Sequence, residues 1–353
     1  MIKFKFDPKL KQGYYSANYF NKVTKLVKKY KPNEIVCMQF VHFGNEPVMV
    51  CGITETIQLL KFCLTKKELD QIEVYGLKDG DITPSKSPVI LIFGHYQIFA
   101  KYENVIDGIL ARRSSVCNNC YQILKMIDTN QLIFMADRTD DYSLQPYDGY
   151  SAYVAGVRHF VTEASVKYIK NDSRVTVGGT MPHSLIQEFD GDLNQTMVVY
   201  SKEYGSAKAV ALIDYHNDIG SEIKKLAKKL HRLYAVRIDT SSNMLDVGLK
   251  KYGKNKSMYG VNPTLIKYAR RILDKVGFKD TKIITSSGIN YEKIQEFQKE
   301  HVPVDFYGIG SSLITRNVHF TADLVLKNNH HQAKVGRKLF IDMNRIKTLK
   351  KYI

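Results

Sequence analysis

A chain of 353 residues, 44% hydrophobic and 25% charged, has the composition of a globular protein large enough for two packed units. No run approaches the roughly 18–20 apolar residues of a membrane span. The N-terminus, MIKFKFDPKLKQGYY, mixes charge with aromatics where a signal peptide would be apolar, so a cytoplasmic location is expected. The net charge of +17 comes from 52 Lys and Arg against 35 acids. These cations are mostly lysines scattered among Ile, Asn and Tyr, a compositional habit rather than the stripe of a specific nucleic-acid binder. The densest block, KVGRKLFIDMNRIKTLKKYI at the C-terminus, reads as a solvated tail.

In chain order, Val23, Leu26, Val27 and Tyr30 fall at i, i+3, i+4, i+7 and predict a helix within 14–31. Residues 34–60 and 89–100 read as short β-rich runs (EIVCMQFVHF, PVMVCGI, PVILIFGHYQIF) around a polar loop, KDGDITPSKSP. This α+β character suggests a first domain over 1–110, joined by the C-terminal segment 328–353. Among the five cysteines, Cys117 and Cys120 form a CxxC. A four-thiolate zinc site needs a second such pair, and none exists. The two read as buried thiols, and no zinc is expected.

From about residue 130 short apolar runs alternate with helical stretches: LIFMA, VRHFV, RVTVGG, AVALIDY, LYAVRID, KIITSSG, DFYGIG and DLVLK. That alternation implies βα units and a mostly parallel sheet. Seven or eight units in some 200 residues suit an α/β barrel over 111–327, irregular and of about seven strands, beside an α+β N-terminal sandwich domain. In barrels, chemistry sits at the C-terminal ends of the strands. Arg138, the segment Gly178–Gly179–Thr180 with His183, Asp214, Arg237 with Asp239, Ser286–Ser287–Gly288, and Gly308 with Gly310 all stand at such ends. Each alone has a plainer use, as a turn glycine or a helix-capping aspartate. Together on one rim they form an inventory for a phosphorylated sugar: arginine forks for phosphate or carboxylate, and glycines that admit phosphate to the backbone. Asp214 and Asp239 could hold ribose hydroxyls, directly or through Mg²⁺.

These segments resemble nicotinate phosphoribosyltransferases, which are type II phosphoribosyltransferases. GGTMPHSLIQEF is similar to the family's histidine segment, and KYENVIDGILARRSSVCNNC to its E-x-x-(I/L)-x-x-x-L segment. AVRIDTSS is similar to its R-x-D strand, SSGINYEKIQEF to its phosphate loop and VDFYGIGSSL to its F-G-(V/I)-G turn. The matches keep chain order over roughly 90–340. The resemblance implies transfer of phosphoribosyl from phosphoribosyl pyrophosphate (PRPP) to nicotinate, with Mg²⁺ near Asp214 and Asp239 and ATP as co-substrate. It implies that His183 is phosphorylated by ATP, and that Arg138, Thr180, Arg237, Asp214 and Asp239 bind substrate. It also implies that Ser287, Gly288, Gly308 and Gly310 cradle the 5′-phosphate. A homodimer with sites at the subunit interface is implied, with Tyr19 stacking on the pyridine ring. Departures are TSSG in place of TSGG, DTSSN in place of D-S-G-D, and the loop KKYGKNKSMYG (250–260), which has no counterpart. Ser184 follows the histidine where a quinolinate enzyme should carry Arg. Quinolinate or nicotinamide transfer on the same fold is the alternative, and a basic nucleic-acid binder a remote one.

Overall fold

The first helical periodicity folds as α1 (Asn18–Tyr30), but only Phe20 in it is buried. Leu26 and Tyr30, half of the predicted apolar stripe, are 57% and 64% exposed. The computed structural model describes residues 2–205, 209–253, 255–341 and 349–353. Lys254 in the loop 250–260 and residues 342–348 of the basic tail lie outside the described residues. No helix among the described residues is long and apolar enough to cross a membrane. The chain divides into two compact units. One comprises the residues up to Tyr121, Pro146–Ala155 and Ile314 onward; the other comprises Gln122–Gln145 and Gly156–Leu313.

In the first unit, β1 (Ile35–His42) is followed by the two-residue strand β2 (Val48–Met49), then β3 (Ile72–Gly76), β4 (Ile82–Thr83) and β5 (Ile90–His95). Between β2 and β3 lies helix α2 (Ile53–Cys63), where the sequence had suggested continued β structure to residue 60. The reason is a long-range cap: Gly52 turns the chain at φ 97°, and the Asp79 carboxylate accepts the Ile53 and Thr54 N–H groups. A capping partner some 25 residues away leaves no local signature. Two further helices are α3 (Glu103–Leu124) and α4 (Gln145–Ala155).

The second unit is built on seven parallel strands: β6 (Leu132–Phe134), β7 (His159–Phe160), β8 (Thr176–Val177), β9 (Val210–Leu212), β10 (Ala235–Ile238), β11 (Lys282–Thr285) and β12 (Phe306–Ile309). Their order is β8-β7-β6-β12-β11-β10-β9. That is the cyclic order of a sequential barrel, with β12 pairing back onto β6 and the seam left between β8 and β9. Most of the strands are short and largely apolar, as parallel strands covered by helices are, while Thr176 and Val177 of β8 are exposed. Val210, Ala235 and Ile284 pack on one face with Ile133 and Phe306, while Ile283 and Ile238 are buried on the other.

The eighth run, DLVLK, does not join this sheet. As β13 (Phe320–Lys327) it pairs antiparallel with β1 over the length of that strand, from Val36↔Lys327 to His42↔Phe320. With β14 (His330–His331) and β15 (Lys350–Lys351) it completes a six-stranded sheet, order β14-β13-β1-β5-β3-β15. An apolar run of five residues carries no mark of which sheet it will enter. One face of this sheet packs against α2 and the start of α3, through Met38, Phe40, Ile90, Ile92, Leu60 and Ile106. The other face, with Cys37, Leu91 and Val325, is covered by Leu339, Ile341 and Leu349 of the tail. The tail is therefore not wholly solvated: buried Gln39 donates to the Lys338 carbonyl and accepts from the Phe340 N–H. Cys117 and Cys120 are free, fully buried thiols.

Candidate active site

The parallel sheet of the second unit delivers its strand C-termini to a cavity of about 860 Å³. Arg138, Thr180, His183, Arg237 and Asp239 line it, as do Ser287, Gly288, Gly308 and Gly310. Nine of the eleven residues read from the sequence as site residues are thus brought together. Asp214 stands behind the wall, bonded to His183. Tyr19 belongs to α1 of the first unit, where its ring is 62% exposed.

His183 opens the short helix α5 (His183–Glu188), directly after Pro182. Its Nε2 lies 3.2 Å from Asp214 Oδ1. These two residues follow β8 and β9, the strands flanking the open seam, so the contact spans a gap that backbone pairing leaves. The imidazole is 43% exposed and the carboxylate only 6%. Burial pushes the Asp214 pKa up, with the His183 charge opposing and Asp239 adding to the rise. An ionised Asp214 fixes the proton of a neutral His183 on Nε2, which leaves Nδ1 as a free lone pair. The Tyr215 ring, tilted at 37° and 6.4 Å away, lies beside the imidazole.

Arg237 is held from three sides. Its Nη2 donates to the Met181 carbonyl at 2.9 Å, and Nη1 reaches Asp239 and the Ser286 hydroxyl, each at 3.4 Å. Ser286 in turn donates to Asp239 at 2.7 Å. Arg237 Nε is buried with no partner. Burial lowers the Arg237 pKa, and Asp239 and Asp214 oppose the shift; a guanidinium stays charged regardless. The result is a fixed cation with a spare donor. Arg138 is exposed and has no hydrogen bond or ion pair among the described residues.

The glycines divide into two kinds. A Cβ on Gly308 would stand 2.6 Å from the Met135 thioether, and one on Gly310 would stand 2.8 Å from the Met135 carbonyl. The backbone contact therefore demands glycine at 310, whereas at 308 the flexible Met135 side chain could shift. Gly288, at φ 66°, has nothing within 4 Å of its missing side chain, and Gly178 and Gly179 are equally open. Of these three, Gly179 and Gly288 line the cavity. Sequence reasoning missed Met135 and Asp137, which also line the cavity. Asp137 was legible in principle, because it ends LIFMAD as Asp214 ends AVALID. Its carboxylate has no partner among the described residues, while its carbonyl accepts from Gln145.

A family model described as the N-terminal domain of quinolinate phosphoribosyl transferase matches residues 19–114. The nicotinate phosphoribosyltransferase of Bacillus subtilis is 23% identical over 244 residues, 68% of this chain and 45% of that protein. The chain is thus similar to phosphoribosyltransferases of type II. A nicotinate phosphoribosyltransferase of Mycobacterium tuberculosis is 25% identical over 152 residues, 42% of this chain and 28% of its own length. The chain thus spans less than half the length of the curated relatives it matches. The fold recurs in solved structures. That of nicotinate-nucleotide pyrophosphorylase from Pyrococcus furiosus superposes with TM-score 0.77 at 23% identity, covering 96% of this chain and 82% of that one. Human nicotinic acid phosphoribosyltransferase gives TM-score 0.66 at 13% identity, covering 90% and 75%.

Proposed function

We propose that this protein is an ATP-coupled nicotinate phosphoribosyltransferase acting in NAD salvage. The observation that carries the reading is the His183–Asp214 pair on the rim of a cavity lined by two arginines. The names of the curated relatives support the choice of nicotinate. In the transfer, the pyridine nitrogen forms a bond to C1 of the ribose as the C1–O bond to pyrophosphate breaks, and the leaving group takes the electron pair. Arg237 and Arg138 stabilise the charge that grows there, the term that usually dominates such catalysis. Ser287 and Gly288 provide the open ground for a phosphate.

No three His, Cys, Asp or Glu converge as a metal cage among the described residues. Mg²⁺ typically needs only one or two carboxylates beside substrate phosphate. Asp137 and Asp239 line the cavity and fit that donor set; the ion, when bound, neutralises pyrophosphate. In the coupled half-reaction His183 Nδ1 attacks the γ-phosphorus of ATP, the bond to ADP breaks, and water later releases phosphate from the nitrogen. Asp214 holds the imidazole throughout. The proposal includes a homodimer in which the exposed Tyr19 supplies a stacking face for the pyridine.

A second reading, quinolinate transfer, is favoured by the description of the family model over 19–114. It requires cations for a second carboxylate. Ser184 follows the histidine, and Arg138 and Arg237 are the only basic side chains besides His183 that line the cavity among the described residues. Product formation from PRPP and Mg²⁺ with nicotinate, nicotinamide or quinolinate, each with and without ATP, separates the readings. Nicotinate mononucleotide formed fastest with ATP is expected. His183→Ala should lose both the ATP stimulation and the phosphorylated form seen by intact mass, while keeping slow ATP-independent transfer. Full ATP stimulation in that variant would refute the phosphohistidine, and turnover with quinolinate alone would move the substrate.

A further inference from the structure

Between Asp239, which follows β10 and lines the cavity, and the helix Pro263–Lys275, the chain makes an excursion over 240–262. In a βα unit the C-terminal end of a strand leads to the start of the next helix, so the excursion lies on the edge that bears the cavity. It is fastened there on both sides. The Val247 N–H donates to the Asn217 carbonyl in the loop after β9. Lys293 Nζ, from the helix after β11 (Tyr291–Lys299), donates to the Val261 carbonyl at 2.8 Å. The excursion carries four lysines and a single acid, Asp246. That acid is turned inward: it is buried, and its carboxylate accepts the Ile219 and Gly248 N–H groups. Lys250, Lys251 and Lys256 are exposed and form no ion pair among the described residues, whereas Lys225 pairs with Glu222 and Lys267 with Glu300 in the same unit. Exposed Arg271 adds a further cation. Its hydrogen bond to the Tyr252 phenol, ahead of that from Lys251, holds this group below its ordinary pKa. Gathering like charges on a fastened segment costs the fold in self-repulsion.

We propose that this excursion is an electrostatic collar, in which Lys250, Lys251 and Lys256 draw phosphorylated substrates to the cavity from beyond contact distance. The inference rests on the phosphoribosyl reading and goes beyond it, because none of the three lysines lines the cavity. PRPP carries a 5′-phosphate and a pyrophosphate, so the attraction of each lysine for it adds. A rim of one sign of charge raises on-rates by about 10- to 1,000-fold at low salt. The attraction fades as the Debye length shrinks from about 30 Å at 0.01 M salt to about 3 Å at 1 M.

The test reverses the three charges together in the full chain, Lys250→Glu, Lys251→Glu and Lys256→Glu. A control makes the same change in net charge at Lys228, Lys229 and Lys275, which end helices on the opposite edge of the sheet. At about 0.01 M salt the collar variant should lose about tenfold or more in kcat/KM for PRPP, with kcat within about twofold and the control within about twofold of the wild type. At about 1 M salt all three proteins should converge. Neutralising the collar lysines to Gln, a milder change should reversal impair folding, should give a smaller loss in the same direction. Three results would overturn the proposal: no loss in the collar variants, an equal loss in the control, or a loss that persists at high salt. Calorimetric binding of inorganic pyrophosphate to the same proteins should follow the same pattern and does not depend on turnover. Failure of the wild type to use PRPP would overturn the phosphoribosyl reading, whereas pyrophosphate binding at low salt equal in the collar variant and the wild type would overturn the collar.

Discussion

The two units of this chain treat charge in opposite ways. In the first, Arg112 forms a fork with Asp148 at 3.0 and 2.6 Å, and Arg113 forms one with Glu55 at 2.7 and 3.1 Å. All four side chains are below 10% exposed, and the Arg113 guanidinium also lies 4.4 Å over the Tyr147 ring. In the second unit, Arg138 and Asp137 stand at strand ends with side chains unpaired among the described residues, and Arg237 keeps a buried Nε free. Charges paired internally hold a fold; charges left unpaired around an 860 Å³ cavity are open to a ligand. The sequence marks Arg138 and Arg237 by their places at strand ends, but it does not show that Arg112 and Arg113 are paired internally. The side chains around them separate them.

If that contrast is right, breaking a buried pair should damage the fold most. Arg113→Ala leaves Glu55 uncompensated, and a loss of about 3–5 kcal/mol is expected in denaturant melts. Replacing both partners, Arg113→Met with Glu55→Leu, should recover most of it. A single variant as stable as the wild type would erase the distinction. At the rim the effects should reverse. Arg138→Ala should raise KM for an anionic substrate by about 10- to 100-fold, with stability within about 0.5 kcal/mol. A large loss of stability with unchanged KM would place Arg138 among the structural charges.

The smallest effect sharpens an exception in the first unit. Glu103 and Asp107, one turn apart on α3, are each pushed up to about 7, by burial first and then by neighbouring acids. One Asp107 carboxylate oxygen is buried without a partner. Because the folded pKa is raised above the ordinary value near 4, stability is full at low pH and declines as pH rises towards 7. Asp107→Asn should therefore stabilise by about 1 kcal/mol at pH 8 and leave stability unchanged at pH 4, the partial exposure of the group having been discounted. Melting curves at the two pH values check it, and an equal effect at both would remove the titration as the cause.

Much of the rim was legible because parallel βα units carry their punctuation with them. Each strand is a short apolar run, and the next polar or glycine residue marks its C-terminal end. Arg138, Asp239 and Gly288 could be placed on one edge before any coordinate was known. Asp137 went unread beside Arg138, which alone marked the end of its strand, and its carboxylate forms no ion pair among the described residues. The left-handed backbone of Ser287, at φ 68°, was invisible for another reason: TSSG states a composition, not a φ angle. The helix at Ile53 was lost because Asp79, which caps it, lies far along the chain.

By itself the sequence determined the alternation of strands and helices, the barrel class of the second unit and which residues end its strands, since these depend on local periodicity and turn chemistry. Only the tertiary structure decided that DLVLK leaves the barrel to pair with β1. It alone decided that Met135 fills the space at Gly308, and that Asp214 reaches His183 across the open seam. Those outcomes turn on which surfaces meet through space, and separation along the chain does not encode that.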